Sequence, residues 1–241
     1  AFNFNQAQRA RLVTGLLEQC TVMGGDKSVG PPREFLLDLT VGKRVECLLK
    51  LAAGRRAGFE FKLTCADEAC ARELELELTL DELAALQSEA DAQERLTVEL
   101  EEQASLTLRR PSGRDQLAWL DTAYADEDEA AREMIRSLSF EREPRELTRE
   151  WIEVINRAMD DFDPLVNFNF SAECGECGHV STLFLDLEEL ALRELRAAQA
   201  NLLATVHRLA TRYHWSEQEI FAVPHWRRAH YLALIARDEE R

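Results

Sequence analysis

Four cysteines stand in two pairs, Cys65 with Cys70 and Cys174 with Cys177. In Cys174-Gly175-Glu176-Cys177-Gly178, a Cys-x2-Cys turn presents two thiolates on one side of a tight bend, and its glycines relieve the backbone there. The first pair is separated by Ala66-Asp67-Glu68-Ala69, a longer spacer without glycine. Two such turns facing each other supply four sulfurs in a tetrahedron, the environment preferred by structural zinc. All four positions would then be filled by protein, leaving none for a catalytic water, so the site would act as a staple. It would tie together segments whose pairing otherwise carries a loop-closure cost. The alternatives are disulfides in a particle released from the cell, or pairs with no ligand role. His179 reads as a neighbour of the second turn rather than a ligand. Cys20 and Cys47 fall on apolar helix faces and read as buried, inert thiols.

The elements around the cysteines repeat. Phe59-Glu60-Phe61-Lys62-Leu63 alternates apolar and polar residues, as a half-buried strand does. The alternation resumes after Cys70 at Leu74, Leu76, Leu78 and Leu80, with Glu73, Glu75 and Glu77 opposite. Aligning Cys70 with Cys177 places Leu80-Asp81-Glu82-Leu83 on Leu187-Glu188-Glu189-Leu190. Aligning Cys65 with Cys174 places Phe59 on Phe168 and Phe61 on Phe170. Each copy is strand, cysteine turn, strand and acidic helix start. The second copy's first strand is expected over Val166, Phe168 and Phe170.

Elsewhere the periodicity predicts helices. Asn5 would cap the first, which buries Leu12, Leu16 and Leu17, and a glycine- and proline-rich loop ends it. Another covers Lys43 to Leu51. A hairpin from Leu96 to Arg109 bends near Glu101-Glu102-Gln103. Ser112 caps a helix with Asp115 answering it; a further helix carries Ala131, Met134, Ile135 and Leu138. Pro144 precedes one in which Leu147, Trp151, Ile155 and Met159 recur every fourth residue. The longest helix runs from about Leu187 to Tyr213, with Leu195, Leu202, Val206 and Leu209 expected inside. Ser216 and Glu219 form a capping box, and Pro224 starts the last helix.

The 241 residues carry 29 basic and 45 acidic side chains, a net charge of −16, and 46% are hydrophobic. That composition suits a globular chain able to bury a core. The acidic excess repels phosphate backbones and anionic lipid, so neither nucleic acid nor a membrane surface is an expected partner. The first residues do not read as a signal peptide and no apolar run is long enough to span a bilayer; cysteine usage then suits a reducing cytosol. No phosphate loop, Gly-x-Ser-x-Gly elbow or His-Glu-x-x-His pattern occurs. The Cys-x2-Cys turn lies between two strands rather than at a helix start, which argues against thioredoxin-type redox chemistry. Asp160, Asp161 and Asp163 read as an acidic loop before Pro164. Trp215 and Tyr231 read as core, whereas Trp226, beside Arg227 and Arg228, reads as an exposed partner contact.

Several segments, in order, carry a resemblance. They are Leu39-Thr40-Val41-Gly42-Lys43-Arg44, Arg109-Arg110-Pro111-Ser112-Gly113-Arg114-Asp115, Asp163-Pro164, Cys174-Gly175-Glu176-Cys177-Gly178-His179 and Val206-His207-Arg208-Leu209-Ala210. Tyr213-His214-Trp215-Ser216-Glu217-Gln218-Glu219-Ile220 and Arg227-Arg228-Ala229-His230-Tyr231-Leu232 follow. From about Leu39 to Leu234 the chain resembles the baseplate-protein family, often labelled baseplate hub assembly chaperone, of T-even-like contractile phages and extracellular contractile injection systems. The family's first cysteine turn is tighter than the one here.

The resemblance implies a non-enzymatic assembly factor that binds hub, spike or tube proteins in the host bacterial cytoplasm, with zinc on the four cysteines. The alternatives are a permanent baseplate subunit retained in the particle, and a zinc-ribbon adaptor or regulatory binding protein unrelated to tails. The expected fold class is α+β. Two zinc-knuckle hairpins, zinc-ribbon-like, pair into a small antiparallel sheet, surrounded by helices, with a long C-terminal helix and two short closing helices. The segments are 1–53 (helical), 54–110 (first cysteine unit and following hairpin), 111–163 (helical insert) and 164–241 (second cysteine unit and C-terminal helices), read as one integrated domain.

Overall fold

The computed structural model describes Phe2, Phe4 and residues 8–21, 30–100, 104–141 and 147–239. Asn5, the Gly24-Gly25 stretch, the Glu101–Gln103 bend and Pro144 lie outside them. The fold is α+β, and the chain divides into two compact units, Phe2–Leu192 and Arg193–Arg241, a boundary none of the four sequence segments marks.

The larger unit begins with α1 (Arg9–Cys20), α2 (Arg33–Asp38) and α3 (Val41–Ala53). Leu12, Val13, Leu16 and Leu17 are buried on α1, as are Leu36 and Leu37 on α2 and Val45, Leu48 and Leu49 on α3. The sets on α1 and α3 follow the helical repeat, so burying one stripe fixes the rotation of each of these two helices. Arg44 lies in the middle of this cluster at 1% exposure. Its guanidinium donates to Leu36 O at 2.8 Å, Ala10 O at 3.2 Å and Thr14 Oγ1 at 2.7 Å, tying α1, α2 and α3 together.

Next come β1 (Gly58–Thr64), β2 (Glu73–Thr79) and α4 (Leu80–Asp91), then β3 (Leu96–Glu99), β4 (Ser105–Leu108), α5 (Gly113–Leu120), α6 (Glu127–Leu138) and α7 (Arg149–Phe162). Val98, Leu106 and Leu108 from the β3–β4 hairpin share a core with Ile135 and Leu138 of α6 and Ile152 and Ile155 of α7. The second cysteine unit supplies β5 (Asn169–Glu173) and β6 (Val180–Phe184), then α8 (Leu187–Tyr213). In the smaller unit α9 (Glu217–Ala222) and α10 (His225–Glu239) follow. Leu209, Ile220 and Ile235 form its core, with Tyr213, Trp215 and Tyr231 packed against them. Among the described residues no helix is long and apolar enough to cross a membrane.

Three expectations of the fold are corrected. The cysteine hairpins do not share a sheet: β1–β2, β3–β4 and β5–β6 are separate two-stranded antiparallel sheets. The last helix has fifteen residues rather than being short. Val166 sits in a turn and is exposed, because β5 starts only at Asn169 and α7 runs to Phe162. The predicted α8 boundaries and the capping boxes of Ser112 with Asp115 and Ser216 with Glu219 are present. The start expected after Pro144 is set instead by Thr148, which accepts from Trp151 N.

Candidate metal centre

The strand registers build the site. In the first hairpin Thr64 pairs with Glu73, and in the second Glu173 pairs with Val180. One step beyond each pair the first cysteine's N–H donates across the turn, Cys65 to Arg72 O at 2.8 Å and Cys174 to His179 O at 2.9 Å. The acceptor lies two residues after the second cysteine in both copies. The two extra residues of the first turn are therefore confined to its tip, where Asp67 Oδ1 accepts from Ala69 N at 2.9 Å. After the second cysteine each chain adopts a left-handed conformation, at Ala71 (φ 47°) and Gly178 (φ 71°).

The two tips meet. Cys65 Sγ lies 3.7 Å from Cys177 Sγ, and Cys70 Sγ 3.8 Å from Cys174 Sγ. All four sulfurs fall within 4.8 Å of one another, a cluster able to hold a metal ion. The first cysteine of each hairpin thus approaches the second cysteine of the other. Phe61 and Phe170, equivalent in the repeat, touch edge to face with ring centroids 5.9 Å apart. Crossed contacts between unlike positions and a self-contact between like ones are the signature of a two-fold relation; the hairpins are two copies of one unit facing across a local pseudo-axis. The helices that follow match as well. Thr79 caps α4 through Glu82 N, and Asp186 accepts from Glu189 N at the start of α8.

Cys65 and Cys174 are buried, Cys70 is half-buried and Cys177 is exposed. Backbone N–H groups face every sulfur. Those of Cys177 and Glu176 pull the Cys174 thiol down to about 7. The N–H groups of Asp67, Arg72 and His179 act likewise on Cys65, Cys70 and Cys177. Burial and the neighbouring sulfurs outweigh them and hold these three thiols above the ordinary value. Such N–H groups stabilise thiolate, the form in which sulfur binds metal.

His179 is exposed and outside the cluster. Cys47 is half-buried, and burial pushes its thiol up. Cys20 is exposed, contrary to expectation, because it ends α1 beyond the buried stripe. Trp226 is 71% exposed.

Other singled-out residues converge on a second place, a structural junction. Thr40 bridges to Ser112, Val41 N donates to Pro111 O at 2.9 Å, and Gly113 N donates to Leu39 O at 3.1 Å. Arg110 stacks over Phe162 at 3.8 Å and donates to Phe162 O at 2.7 Å; Asp163 accepts from Gly42 N at 3.2 Å. Asp163 is 2% exposed, which corrects its reading as an acidic loop residue. It ends α7 as its C-cap, and its burial followed from no local pattern. Gly113 permits the junction's close approach: a Cβ there would lie 2.4 Å from Arg44 Nη1.

No family model, curated protein or solved structure matches the chain.

Proposed function

We propose that this protein is a non-enzymatic assembly factor of a contractile phage tail or contractile injection system, stapled by structural zinc. On this reading it works in the bacterial cytoplasm and binds hub, spike or tube subunits. The observation that carries the staple is the sulfur spacing. A zinc–thiolate bond of about 2.3 Å makes the edge of a regular tetrahedron about 3.8 Å. The crossed pairs stand at 3.7 and 3.8 Å. A disulfide would need about 2.05 Å. Four protein sulfurs complete a tetrahedron, so a bound ion would hold the fold and keep no position for substrate. The ordered motifs from Leu39 to Leu234 support the tail assignment.

Metal analysis of protein purified under reducing conditions tests the staple, with about one zinc per chain expected. An iron-containing, coloured product would replace zinc with iron, the other metal that favours four thiolates. Affinity purification from cells producing the particle tests the assembly role. Recovery of baseplate or tube subunits is expected, together with absence of the protein from finished particles. A fixed stoichiometry in those particles would make it a permanent subunit instead.

A further inference from the structure

The smaller unit carries a groove of about 350 Å³ between α8 and α10. Ala198, Asn201, Leu202 and Thr205 line one wall, and His225, Arg228, Ala229 and Leu232 the other. Each set is i, i+3, i+4, i+7, so each helix offers one continuous stripe. The same two stripes continue into the unit's core: Val206, Leu209 and Tyr213 extend the first, Leu232 and Ile235 the second. At that end Ile220 of α9 completes the packing and is fully buried. Along the groove Leu202 remains 41% exposed, although its spacing predicts a buried position.

The groove's charge has one sign. None of its lining residues is acidic, and Arg228 Nε is buried there without a hydrogen-bond partner. His225 starts α10, whose first turn contains no acid to offset the positive end of the helix dipole. Residues 193–241 hold eight arginines against six acids, so this unit is slightly basic although the whole chain carries −16. Trp226, the most exposed of the large hydrophobic side chains among the described residues, follows His225 directly.

We propose that the α8–α10 groove docks an amphipathic helix of a partner protein, whose apolar stripe covers Leu202 and Leu232 and whose flanking Glu or Asp pairs with Arg228. Two helices presenting matched stripes leave the place of a third, which is how helix-in-groove recognition works. The charge specifies the partner as acidic beside its stripe, since the half-buried Arg228 is the one formally charged side chain lining the groove and its guanidinium pairs best with a carboxylate. A phosphate backbone fits less well, because the groove is largely apolar and offers one arginine. This inference deepens the partner-binding half of the proposed function. It does not depend on which machine the protein serves.

A displayed library tests it. Peptides of about 18 residues, long enough for five helical turns, would carry a fixed leucine stripe with randomised flanking positions and be selected on the full-length protein. Enrichment of Glu and Asp over Lys and Arg is expected. Synthetic winners should lose at least tenfold in affinity against Leu202→Glu and against Arg228→Glu, both checked by circular dichroism for an intact fold. Enrichment of basic flanks, no enrichment, or affinity unchanged in both variants would overturn the proposal. So would concentration-dependent self-association abolished by the same variants, or tighter binding of a 20-mer oligonucleotide than of the winning peptides. A failed tail pull-down alongside a successful selection would sink the machine assignment and leave the groove standing.

Discussion

Asp163 shows how a single buried carboxyl can set a pH dependence. Its Oδ2 accepts from Gly42 N, whereas its Oδ1 has no partner, and neither has Oε1 of the fully buried Gln87. Both lone acceptors crowd Gly42: a Cβ there would lie 2.0 Å from one and 2.5 Å from the other. Burial pushes the carboxyl up to about 6, against the pull of the Gly42 N–H and Arg110. A folded-state value above the unfolded one means the native protein binds the proton more tightly. This contribution is therefore greatest below about pH 4, falls as pH rises to about 6, and is constant above. A shift of two units corresponds to about 3 kcal/mol at most. Asp163→Asn supplies a neutral donor and is expected to stabilise by about 1–3 kcal/mol at pH 7.5, with the gain gone by pH 4. Urea unfolding at the two pH values measures it. An asparagine variant less stable at pH 7.5 would mean that the charge opposite Arg110 outweighs its burial. Gly42→Ala tests the same junction by volume: its methyl overlaps two buried polar groups, and a loss of about 1–3 kcal/mol is expected by the same assay.

The elements were legible wherever local chemistry dictated them. Alternation marked β1 and β2, and the cysteines between them announced the turn. Side-chain caps at Ser112 and Ser216 placed two helix starts, because a cap satisfies N–H groups that sequence-adjacent residues leave open. The four-sulfur cluster was legible because the repeat predicted two facing turns. What was hidden depends on tertiary contact. Six-residue α2 is too short to show a period. Arg44 and Asp163 are charged groups whose burial follows only from what surrounds them. That the hairpins meet through side chains rather than a shared sheet depends on geometry that alternation does not encode. The two turns nonetheless make one testable pair. Ala71 occupies the left-handed position that Gly178 holds in the other copy, and a side chain there costs about 1 kcal/mol. Gly178→Ala is expected to destabilise by about that amount and Ala71→Gly to stabilise by somewhat less, since glycine adds unfolded-state entropy. Thermal unfolding of the metal-loaded protein reads both, and effects of equal sign would refute the equivalence of the turns.

At the scale of the molecule, the staple and the junction oppose each other in acid. The crossed Cys70–Cys174 contact joins positions 104 residues apart. Closing a loop of that length removes unfolded-state entropy worth about 4–5 kcal/mol in the chain-entropy model. A bound ion adds its own affinity for the preformed site. Metal-loaded protein is thus expected to lose several kcal/mol on chelation at pH 7.5, and Cys174→Ser to make chelation nearly without further effect. Binding requires thiolates, and three of the four thiols stand above their ordinary value without an ion. Protons therefore compete with metal as pH falls, and the gap between loaded and chelated protein is expected to close toward pH 5. Asp163 acts in the reverse sense over the same range, so between pH 6 and 4 chelated protein should lose less stability than loaded protein does. Urea unfolding across pH 4–8 with and without chelator separates the two. Parallel curves would show that the cysteines bear no pH-dependent ligand, and the zinc staple would fall with them.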